Sequence, residues 1–473
     1  MERPGTAARP LRVAIIGAGP TGFYAADQVL RQEGLVVEVD MFDRVPMPFG
    51  LVRSGVAPDH QKIKSVIAAF DKVASHPRFR FYGCVELGKH VTVEDLRAHY
   101  HQIFYATGAQ TDRRMGIPGE DLKGSHPATE FVAWYNGHPD YQDHQFDLGV
   151  ERAAVVGVGN VAIDVARILC RTPEELATTD ISDQAFEALR MSALKEIYLL
   201  GRRGPAQAAF TNPEIKELGE LTGADVVIDP REVELDPLSR AALAKAPDRA
   251  TTKKVDILQS FAGKPPTGKP RQLKIRFLVS PVELIGNAAG EVTAIKLVRN
   301  ELYETPTGTL QPRAIDQFET LPVGLVFRSV GYRGVPLPGV PFNDKWGVIL
   351  NERGRVLDPN TKQPVVGEYT GGWIKRGPSG VIGTNKPDAA ETVTCMLEDL
   401  AKGTILTPAA PDAAAADALV RSRQPQCLSY DDWRYLDRIE VERGRALGRP
   451  RVKFTRLDDI LAALRERDGA GNH

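Results

Sequence analysis

The stretch Gly17-Ala-Gly19-Pro-Thr-Gly22 follows directly on an apolar run, Val13 to Ile16. Its first two glycines permit a tight turn and a close backbone approach to a pyrophosphate, and the third lets helix and strand pack closely. A helix that begins at Pro20 and Thr21 directs its free N–H groups at the phosphates. The stretch therefore predicts a strand, a turn and a helix that bind a dinucleotide.

A second stretch of the same kind, Gly157-Val-Gly159-Asn-Val-Ala162, follows a predicted strand at Ala153 to Val156. Ala162 replaces the third glycine, and alanine is small enough for the close contact between helix and strand. Asn160 and Val161 then begin the helix beneath the pyrophosphate. Two such fingerprints in one chain imply two bound nucleotides.

The composition is that of a globular enzyme, since 42% of the 473 residues are hydrophobic, enough for the cores of two or three domains. The 60 basic and 61 acidic residues give no global field that would attract nucleic acid. No run of about 18 apolar residues is present for membrane insertion, and Met1 to Pro10 lacks the apolar segment of a signal peptide. We expect a cytoplasmic protein without nucleic-acid partners.

Further strands complete a doubly wound α/β architecture. Gln102 to Tyr105 returns the chain to the first sheet, and Leu325 to Arg328 is the return strand of the second. Leu273 to Leu278 and Val292 to Val298 alternate in polarity, so we interpret them as added strands. The Lys-, Pro- and Ala-rich segment Ala241 to Pro270 is interpreted as exposed loops.

Asp43 follows the predicted strand Val36 to Phe42 and lies 21 positions beyond Gly22. An acidic side chain at about this distance from the fingerprint accepts hydrogen bonds from the adenosine ribose. The first unit is therefore expected to bind an adenine dinucleotide.

The corresponding position of the second unit carries Arg202 and Arg203, after the predicted strand Glu196 to Leu200. Two guanidinium groups favour a 2′-phosphate, because each offers planar, charge-assisted hydrogen bonds to its oxygens. This pair predicts NADP, although exposed arginines are often only solvated charges. The strand lies about forty residues beyond Gly159 instead of about twenty, which an inserted helical segment, Thr172 to Leu194, would explain.

The four cysteines are scattered, with neither a C-x-x-C pair nor the spacing of metal ligands. Disulfide reduction requires a paired thiol, and an iron–sulfur centre requires a cysteine cluster. We interpret the four as small buried side chains and predict no metal site. They are Cys84, Cys170, Cys395 and Cys427.

These stretches together resemble the adrenodoxin-reductase family of NADPH:ferredoxin reductases, and its bacterial branch in particular, over Leu11 to Lys402. The resemblance is most specific in four pieces, and the stretch Asp431 to Lys453 also resembles the ends of some bacterial members. The four pieces run over residues 48–60, 201–211, 328–334 and 372–384.

The resemblance implies FAD in the first unit, held by the first fingerprint, by Asp43 and by residues near the flavin ring. A helix that starts near Asp388, after the glycine-rich run Gly377 to Gly383, would stabilise negative charge on a reduced flavin. The implied FAD residues are Gly17, Gly19, Pro20, Thr21, Gly22, Asp43, Leu51, Leu87, Trp373, Gly380, Val381 and Ile382.

The resemblance implies NADP(H) in the second unit, with the twin arginines around the 2′-phosphate and Gly380 approaching the nicotinamide. His60 and Glu217 match a histidine and a glutamate that the family places near the flavin, and we interpret them as modulators, since hydride transfer needs no protein acid or base. The implied NADP residues are Arg113, Gly157, Gly159, Asn160, Val161, Arg202, Arg203, Glu214 and Gly380.

The fold class expected from the resemblance is α/β, with two Rossmann-like three-layer domains and the NADP domain inserted into the FAD domain. The predicted parts are an FAD domain at 11–111 and 335–404 and an NADP domain at 112–334. A linker at 405–418 and a C-terminal helical extension at 419–473 follow.

The expected reaction passes a hydride from NADPH to FAD and then single electrons to a ferredoxin, a small acidic iron–sulfur protein. Nearby basic residues such as Arg53, Lys375 and Arg376 would attract this partner. One alternative is a flavin diaphorase that reduces a quinone or another small acceptor. A second alternative is a regulatory module that binds FAD and NADP without turnover, and we find no motif that points to a flavin monooxygenase.

Overall fold

The structure is a computed structural model that describes residues 3–470. These residues form two compact units, and the second unit is inserted into the chain of the first. The second unit consists of Asp112–Gly331 together with a short outlying segment, Ala57–Asp59. The α/β class with an inserted second domain is therefore confirmed.

The first unit is built on a seven-stranded sheet, and the strand Leu11–Ile16 lies in its buried interior. This strand runs parallel to Val37–Phe42 on one side and to Gln102–Tyr105 on the other. All six of its residues are buried, as expected for a strand covered on both faces. In spatial order the strands are Asn351–Glu352, Arg355–Leu357, Pro364–Thr370, Gln102–Tyr105, Leu11–Ile16, Val37–Phe42 and Phe79–Tyr82.

Helices cover this sheet, and the helix Pro20–Leu30 leaves the first fingerprint directly. A small antiparallel pair, Phe342–Asn343 and Val348–Ile349, belongs to the same unit. The remaining helices of the unit are Leu51–Ser54, Gln61–Lys64, Ile67–Ala74, Val93–His99, Trp373–Arg376, Asn385–Lys402, Ala413–Arg423, Tyr430–Ala446 and Leu457–Ala470, with a 3₁₀ turn at Ile382–Thr384.

The second unit contains a six-stranded parallel sheet and a separate three-stranded antiparallel sheet. The antiparallel strands are Val279–Gly286, Val292–Glu304 and Leu310–Pro322. In spatial order the parallel strands are Ser125–Pro127, Leu325–Arg328, Arg152–Val156, Glu196–Leu200, Arg271–Arg276 and Ala224–Val227.

The helices of the second unit begin with Ala128–Tyr135 and the fingerprint helix Asn160–Cys170. Two short strands, Thr111–Asp112 and Tyr332–Arg333, lie where the chain passes from one unit to the other. The other helices are Pro173–Leu176, Asp183–Arg190, Asn212–Leu218, Pro230–Val233, Pro237–Lys245 and Arg249–Phe261, with 3₁₀ turns at Pro139–Tyr141 and Pro205–Gln207.

The interpretation of Ala241 to Pro270 as exposed loops is wrong, because most of it is helical. Asp236 accepts hydrogen bonds from the first N–H groups of the helix Pro237–Lys245, and Asp248 caps Arg249–Phe261 in the same way. Such caps satisfy N–H groups that a helix cannot pair internally, so short polar helices can form here.

The structure also defines three other segments of the prediction. The strand predicted at Leu273 to Leu278 is Arg271–Arg276, and it belongs to the parallel sheet instead of being an addition. The helix Ala413–Arg423 begins within the predicted linker, where Asp412 caps it. The expected helical insertion before Glu196 is present as Pro173–Leu176 and Asp183–Arg190.

Among residues 3–470, no helix has the length and apolar character needed to cross a membrane. All four cysteines are buried and unpaired, as interpreted from the sequence.

Candidate dinucleotide sites

The first fingerprint has a different physical constraint at each glycine. Gly17 has a φ of +108°, and a Cβ there would lie 2.5 Å from the Ala106 carbonyl oxygen. A Cβ at Gly22 would lie 2.3 Å from the Gly17 carbonyl oxygen, whereas one at Gly19 would meet no described atom within 4 Å. The loop is thus tightly packed on its protein side and open beside Gly19, which fits a pyrophosphate at that position.

The helix that follows the loop begins with Pro20 at its first position, where a missing N–H costs nothing. Thr21 is 7% exposed and contacts the loop after the strand Pro364–Thr370. A Cβ on Gly372 would lie 2.2 Å from the Thr21 hydroxyl oxygen, and Gly372 has a φ of +75°. Glycine at 372 therefore allows the two loops of the first unit to meet.

Asp43 connects the end of the strand Val37–Phe42 to the glycine-rich loop. Its carboxylate accepts hydrogen bonds from the Ala18 N–H at 2.8 Å and the Val45 N–H at 3.1 Å. Burial raises the pKa of Asp43, although these N–H groups and the charge of Arg44 oppose the rise. The carboxylate is held beside the fingerprint, where ribose recognition would require it.

Leu51 and Leu87, both predicted FAD contacts, differ in environment. Leu51 is 38% exposed at the start of the helix Leu51–Ser54 and can pack against a ligand. Leu87 is 7% exposed and belongs to a hydrophobic cluster of the first unit. Its role in adenine binding stays a prediction.

The residues predicted near the flavin ring lie in one short segment, which begins with the helix Trp373–Arg376 and precedes the helix Asn385–Lys402. The Trp373 indole N–H donates to the Ser379 carbonyl at 3.1 Å, and its ring lies 5.4 Å from the Tyr332 ring. Gly380 has a φ of +81°, and the side chain of Val381 is 51% exposed. Ile382 begins the 3₁₀ turn that leads into the helix, so the segment presents backbone and apolar surface near a helix start.

The second fingerprint also has one glycine packed against the protein and one that faces open space. Gly157 has a φ of +135°, and a Cβ there would lie 2.1 Å from the Ser329 carbonyl oxygen. A Cβ at Gly159 would meet no described atom within 4 Å, and Ala162 is fully buried against the sheet. The open side of this loop also fits a pyrophosphate.

Asn160 fixes the loop that approaches the second fingerprint. Its side-chain oxygen accepts a hydrogen bond from the Thr211 N–H at 2.9 Å. The Val158 carbonyl accepts from the N–H groups of Ala209 and Phe210 at 2.8 and 3.1 Å. Val161 is half-buried at the helix start. The sequence analysis missed these links, because no spacing signal reports a contact between distant loops.

The twin arginines follow the strand Glu196–Leu200. Arg202 is exposed and Arg203 is half-buried, and within residues 3–470 neither forms a salt bridge with a carboxylate. Burial and the neighbouring charge of Arg202 lower the pKa of Arg203. Two adjacent cations without a protein counter-ion form a site for an anion, which fits the 2′-phosphate of NADP.

Asn300, on the antiparallel strand Val292–Glu304, supports the twin-arginine loop. It is 4% exposed, and its side-chain amide donates to the Arg202 carbonyl and the Ser280 hydroxyl, both at 2.8 Å. The Leu278 N–H donates to the Arg203 carbonyl at 3.2 Å. The sequence analysis missed Asn300 because the sequence separates it by about a hundred residues from the loop.

Arg113 and Glu214, also predicted at this site, belong to the second unit. Arg113 is exposed, and its N–H donates to the Gly331 carbonyl at 2.9 Å. Burial raises the pKa of Glu214, although the fully buried Arg167, 3.3 Å away, opposes this effect. Their contact with NADP stays a prediction.

Arg167 forms ion pairs with carboxylates from several segments of the second unit. It binds Asp59 at 2.8 Å and Asp164 at 2.7 Å, and lies 3.7 Å from Glu217. His60 follows Asp59 in the chain but belongs to the first unit, where it precedes the helix Gln61–Lys64. The expected proximity of His60 and Glu217 stays a prediction.

The expectation that Arg53 and Lys375 help to attract a partner is wrong. Arg53 is 5% exposed and paired with Glu440, and Lys375 is 8% exposed and bound to Asp388 and Glu391. Buried charges that are neutralised in this way contribute little to long-range attraction. Arg376 is half-buried and faces Asp388 at 3.5 Å.

The chain matches the protein family described as Pyridine nucleotide-disulphide oxidoreductase over residues 11–198. It is 46% identical over 96% of its length to NADPH-ferredoxin reductase FprA of Mycobacterium tuberculosis, covering 99% of that protein. It is 39% identical to the mitochondrial NADPH:adrenodoxin oxidoreductase of Arabidopsis thaliana, covering 96% of this chain and 95% of that protein.

Similarity extends to the three-dimensional structure. The solved structure of Mycobacterium tuberculosis FprA in complex with NADPH matches with a TM-score of 0.91 and 44% identity, over 96% of this chain and 99% of that chain. Near-complete coverage at this identity includes both fingerprints and the segments around them. The chain therefore belongs to the adrenodoxin-reductase family of NADPH:ferredoxin reductases, in its bacterial branch.

Proposed function

We infer that the chain is an NADPH:ferredoxin oxidoreductase that contains FAD. The observation that carries this inference is the pair of open glycine-rich loops, one followed by Asp43 and the other by the arginines at 202 and 203. This pair occurs in a chain 46% identical to a relative named NADPH-ferredoxin reductase. Bound FAD would supply the conversion between two-electron and one-electron transfer.

We propose that FAD binds the first unit. The open side of Gly19 and the start of the helix Pro20–Leu30 would hold the pyrophosphate, and Asp43 the ribose. Leu51 and Trp373 would pack near the flavin ring, with the loop at 380–382 beside its polar edge. These assignments rest on the exposure, backbone conformation and helix-start positions of the residues.

We propose that NADP(H) binds the second unit. Gly159, Asn160 and Val161 would approach the pyrophosphate, and the twin arginines would bind the 2′-phosphate. Arg113 and Glu214 would complete the site. His60 and Glu217 would modulate the reaction by orienting the nicotinamide or tuning the flavin, without acting as acid or base in the hydride transfer.

The ferredoxin is proposed to be acidic, so that exposed basic side chains of this chain attract it. The reaction is proposed to occur in the cytoplasm, where thiols such as the four unpaired cysteines persist in reduced form.

The deciding experiment measures NADPH-dependent cytochrome c reduction by the FAD-loaded protein, with and without ferredoxin, and again with NADH. Strong stimulation by ferredoxin together with a preference for NADPH is the expected result. Flavin reduction without ferredoxin stimulation, combined with rapid reduction of a quinone, would favour the diaphorase. Bound flavin that NADPH does not bleach would favour the regulatory module and contradict the proposed function.

A further inference from the structure

A buried ion pair connects the helix Tyr430–Ala446 to the helix Leu51–Ser54. Glu440 accepts hydrogen bonds from Arg53 at 2.9 Å from Nη1 and 2.5 Å from Nη2. Arg53 is 5% exposed and Glu440 is fully buried. A two-point pair of this kind fixes orientation as well as distance, and loss of one partner would leave an uncompensated buried charge.

Trp433 provides a second contact between the same two elements. It lies two turns before Glu440 and therefore on the same face of the helix Tyr430–Ala446. The Arg53 guanidinium lies 4.9 Å from the centre of the Trp433 ring, and that ring meets the Phe49 ring edge-on at 6.0 Å. The helix Tyr430–Ala446 thus contacts the segment Phe49–Arg53 through the Glu440 carboxylate and through the Trp433 ring.

The segment Phe49–Arg53 lies directly against the first fingerprint. The Phe49 N–H donates to the Ala18 carbonyl at 2.7 Å, and a Cβ on Gly50 would lie 2.9 Å from the Gly19 Cα. Phe49 has a φ of +84°, a strained conformation for a non-glycine residue that persists only where the surroundings enforce it. The contacts of Arg53 with Glu440 and of Trp433 with Phe49 hold the segment in this conformation.

Glu440 has two further partners besides Arg53. Its carboxylate lies 3.1 Å from Arg451 and accepts the Phe454 N–H at 2.8 Å. Burial alone would raise the pKa of Glu440, but the charges of Arg53 and Arg451 lower it below its ordinary value. The carboxylate therefore stays ionised and keeps both arginines in place.

We propose that Glu440 is a positioning residue of the FAD site. Through Arg53 it fixes Phe49 and Gly50 against Gly19, on the side where the pyrophosphate would lie, and so sets the affinity for FAD and the environment of the flavin beside Leu51. The inference rests on the proposed function only for the identity of this dinucleotide. The helix Tyr430–Ala446 would then contribute to the binding of FAD.

The test compares Glu440→Gln with Asp399→Asn in the purified holoenzyme. Both changes replace a buried carboxylate by an amide of the same shape within the first unit. Asp399 binds Arg355 at 2.8 and 2.9 Å, but it lies fourteen residues after the start of the helix Asn385–Lys402, about 21 Å along its axis. Among residues 3–470, its carboxylate is bonded to Arg355 and to the Tyr369 hydroxyl, which lie outside the first fingerprint and outside the segment Phe49–Arg53, so Asp399→Asn is a matched control for loss of a buried ion pair.

The measurements are the Kd for FAD, the visible circular dichroism of bound flavin and the melting temperature. Glu440→Gln should raise the Kd by roughly tenfold or more and change the dichroism, because one charge-assisted pair is weakened. Asp399→Asn should lower the melting temperature but leave both flavin readouts near wild type. A Kd for Glu440→Gln within about twofold of wild type, or an equal rise in the control, would overturn the proposal.

If Glu440→Gln does not fold, Arg53→Lys provides the second test, since it keeps the charge and loses the two-point geometry. A raised Kd and altered dichroism support the proposal, and unchanged values overturn it. Wild-type FAD binding and NADPH:ferredoxin turnover are measured in parallel. Wild type that binds FAD without reducing ferredoxin contradicts the proposed function alone, so the two failures are distinguishable.

Discussion

The space around the third position explains why the first fingerprint has glycine there and the second has alanine. The third position of the second fingerprint, Ala162, is fully buried in the helix Asn160–Cys170, whereas a Cβ at Gly22 would lie 2.3 Å from the Gly17 carbonyl oxygen. The general rule that this position must be small is therefore stricter in the first unit. Gly19, in contrast, has open space in front of its Cα.

These environments predict opposite effects of alanine at two neighbouring glycines. Gly22→Ala should destabilise the protein by about 1–3 kcal/mol, because overpacking moves the loop. Gly19→Ala should leave the free energy of unfolding within about 0.5 kcal/mol of wild type but raise the Kd for FAD by roughly tenfold or more, since the methyl group occupies the pyrophosphate side. Thermal unfolding of the FAD-free protein and FAD titration measure the two effects, and a reversed pattern would contradict these roles.

The charge of the twin arginines predicts a preference for NADPH over NADH. Replacing both Arg202 and Arg203 by Gln should raise the KM for NADPH by roughly tenfold or more and change the KM for NADH little, because only NADPH carries the 2′-phosphate. Arg231→Gln is the control, since Arg231 is exposed and paired with Asp229. Steady-state kinetics with both coenzymes provide the measurement, and equal changes in the two KM values would refute the assignment.

At the level of elements, the antiparallel sheet of the second unit supports the loop that carries Arg202 and Arg203. Asn300→Leu removes the amide that donates to the Arg202 carbonyl while keeping similar volume. It should cost about 1–3 kcal/mol of stability, because buried polar groups lose their partner, and raise the KM for NADPH several-fold with kcat near wild type. Asn287→Leu, in an exposed turn, is the control. A KM equal to wild type would show that the loop holds its shape without Asn300.

The elements also show where pattern-based prediction succeeds and where it fails. The strand Gln102–Tyr105 and the long helix Asn385–Lys402 were both predicted, since each has a clear apolar pattern. The helices Pro237–Lys245 and Arg249–Phe261 were missed, because their stability depends on the caps Asp236 and Asp248 and on few buried side chains. Weak periodicity next to Pro and Lys favours a loop interpretation.

For the whole molecule, the near balance of 60 basic and 61 acidic residues means that attraction of an acidic partner must be local. Raising the ionic strength from about 0.01 to 0.15 M shortens the Debye length from about 30 to 8 Å. With saturating NADPH, kcat/KM for ferredoxin should fall by roughly tenfold, because screening weakens steered encounter. A neutral quinone is the control acceptor and should change by less than about twofold. Salt-independent ferredoxin reduction would argue against an acidic partner.

The sequence by itself determined the α/β class and the two nucleotide loops, and it predicts a 2′-phosphate at the twin arginines, because glycine conformation, strand periodicity and paired guanidinium groups are local properties. Only the tertiary structure decided that Arg53 is buried against Glu440 and that Asn300 holds the loop of Arg202. The physical reason is that these partners lie far apart along the chain, by 387 and 98 residues. No local sequence pattern shows which distant side chains come into contact when the core forms.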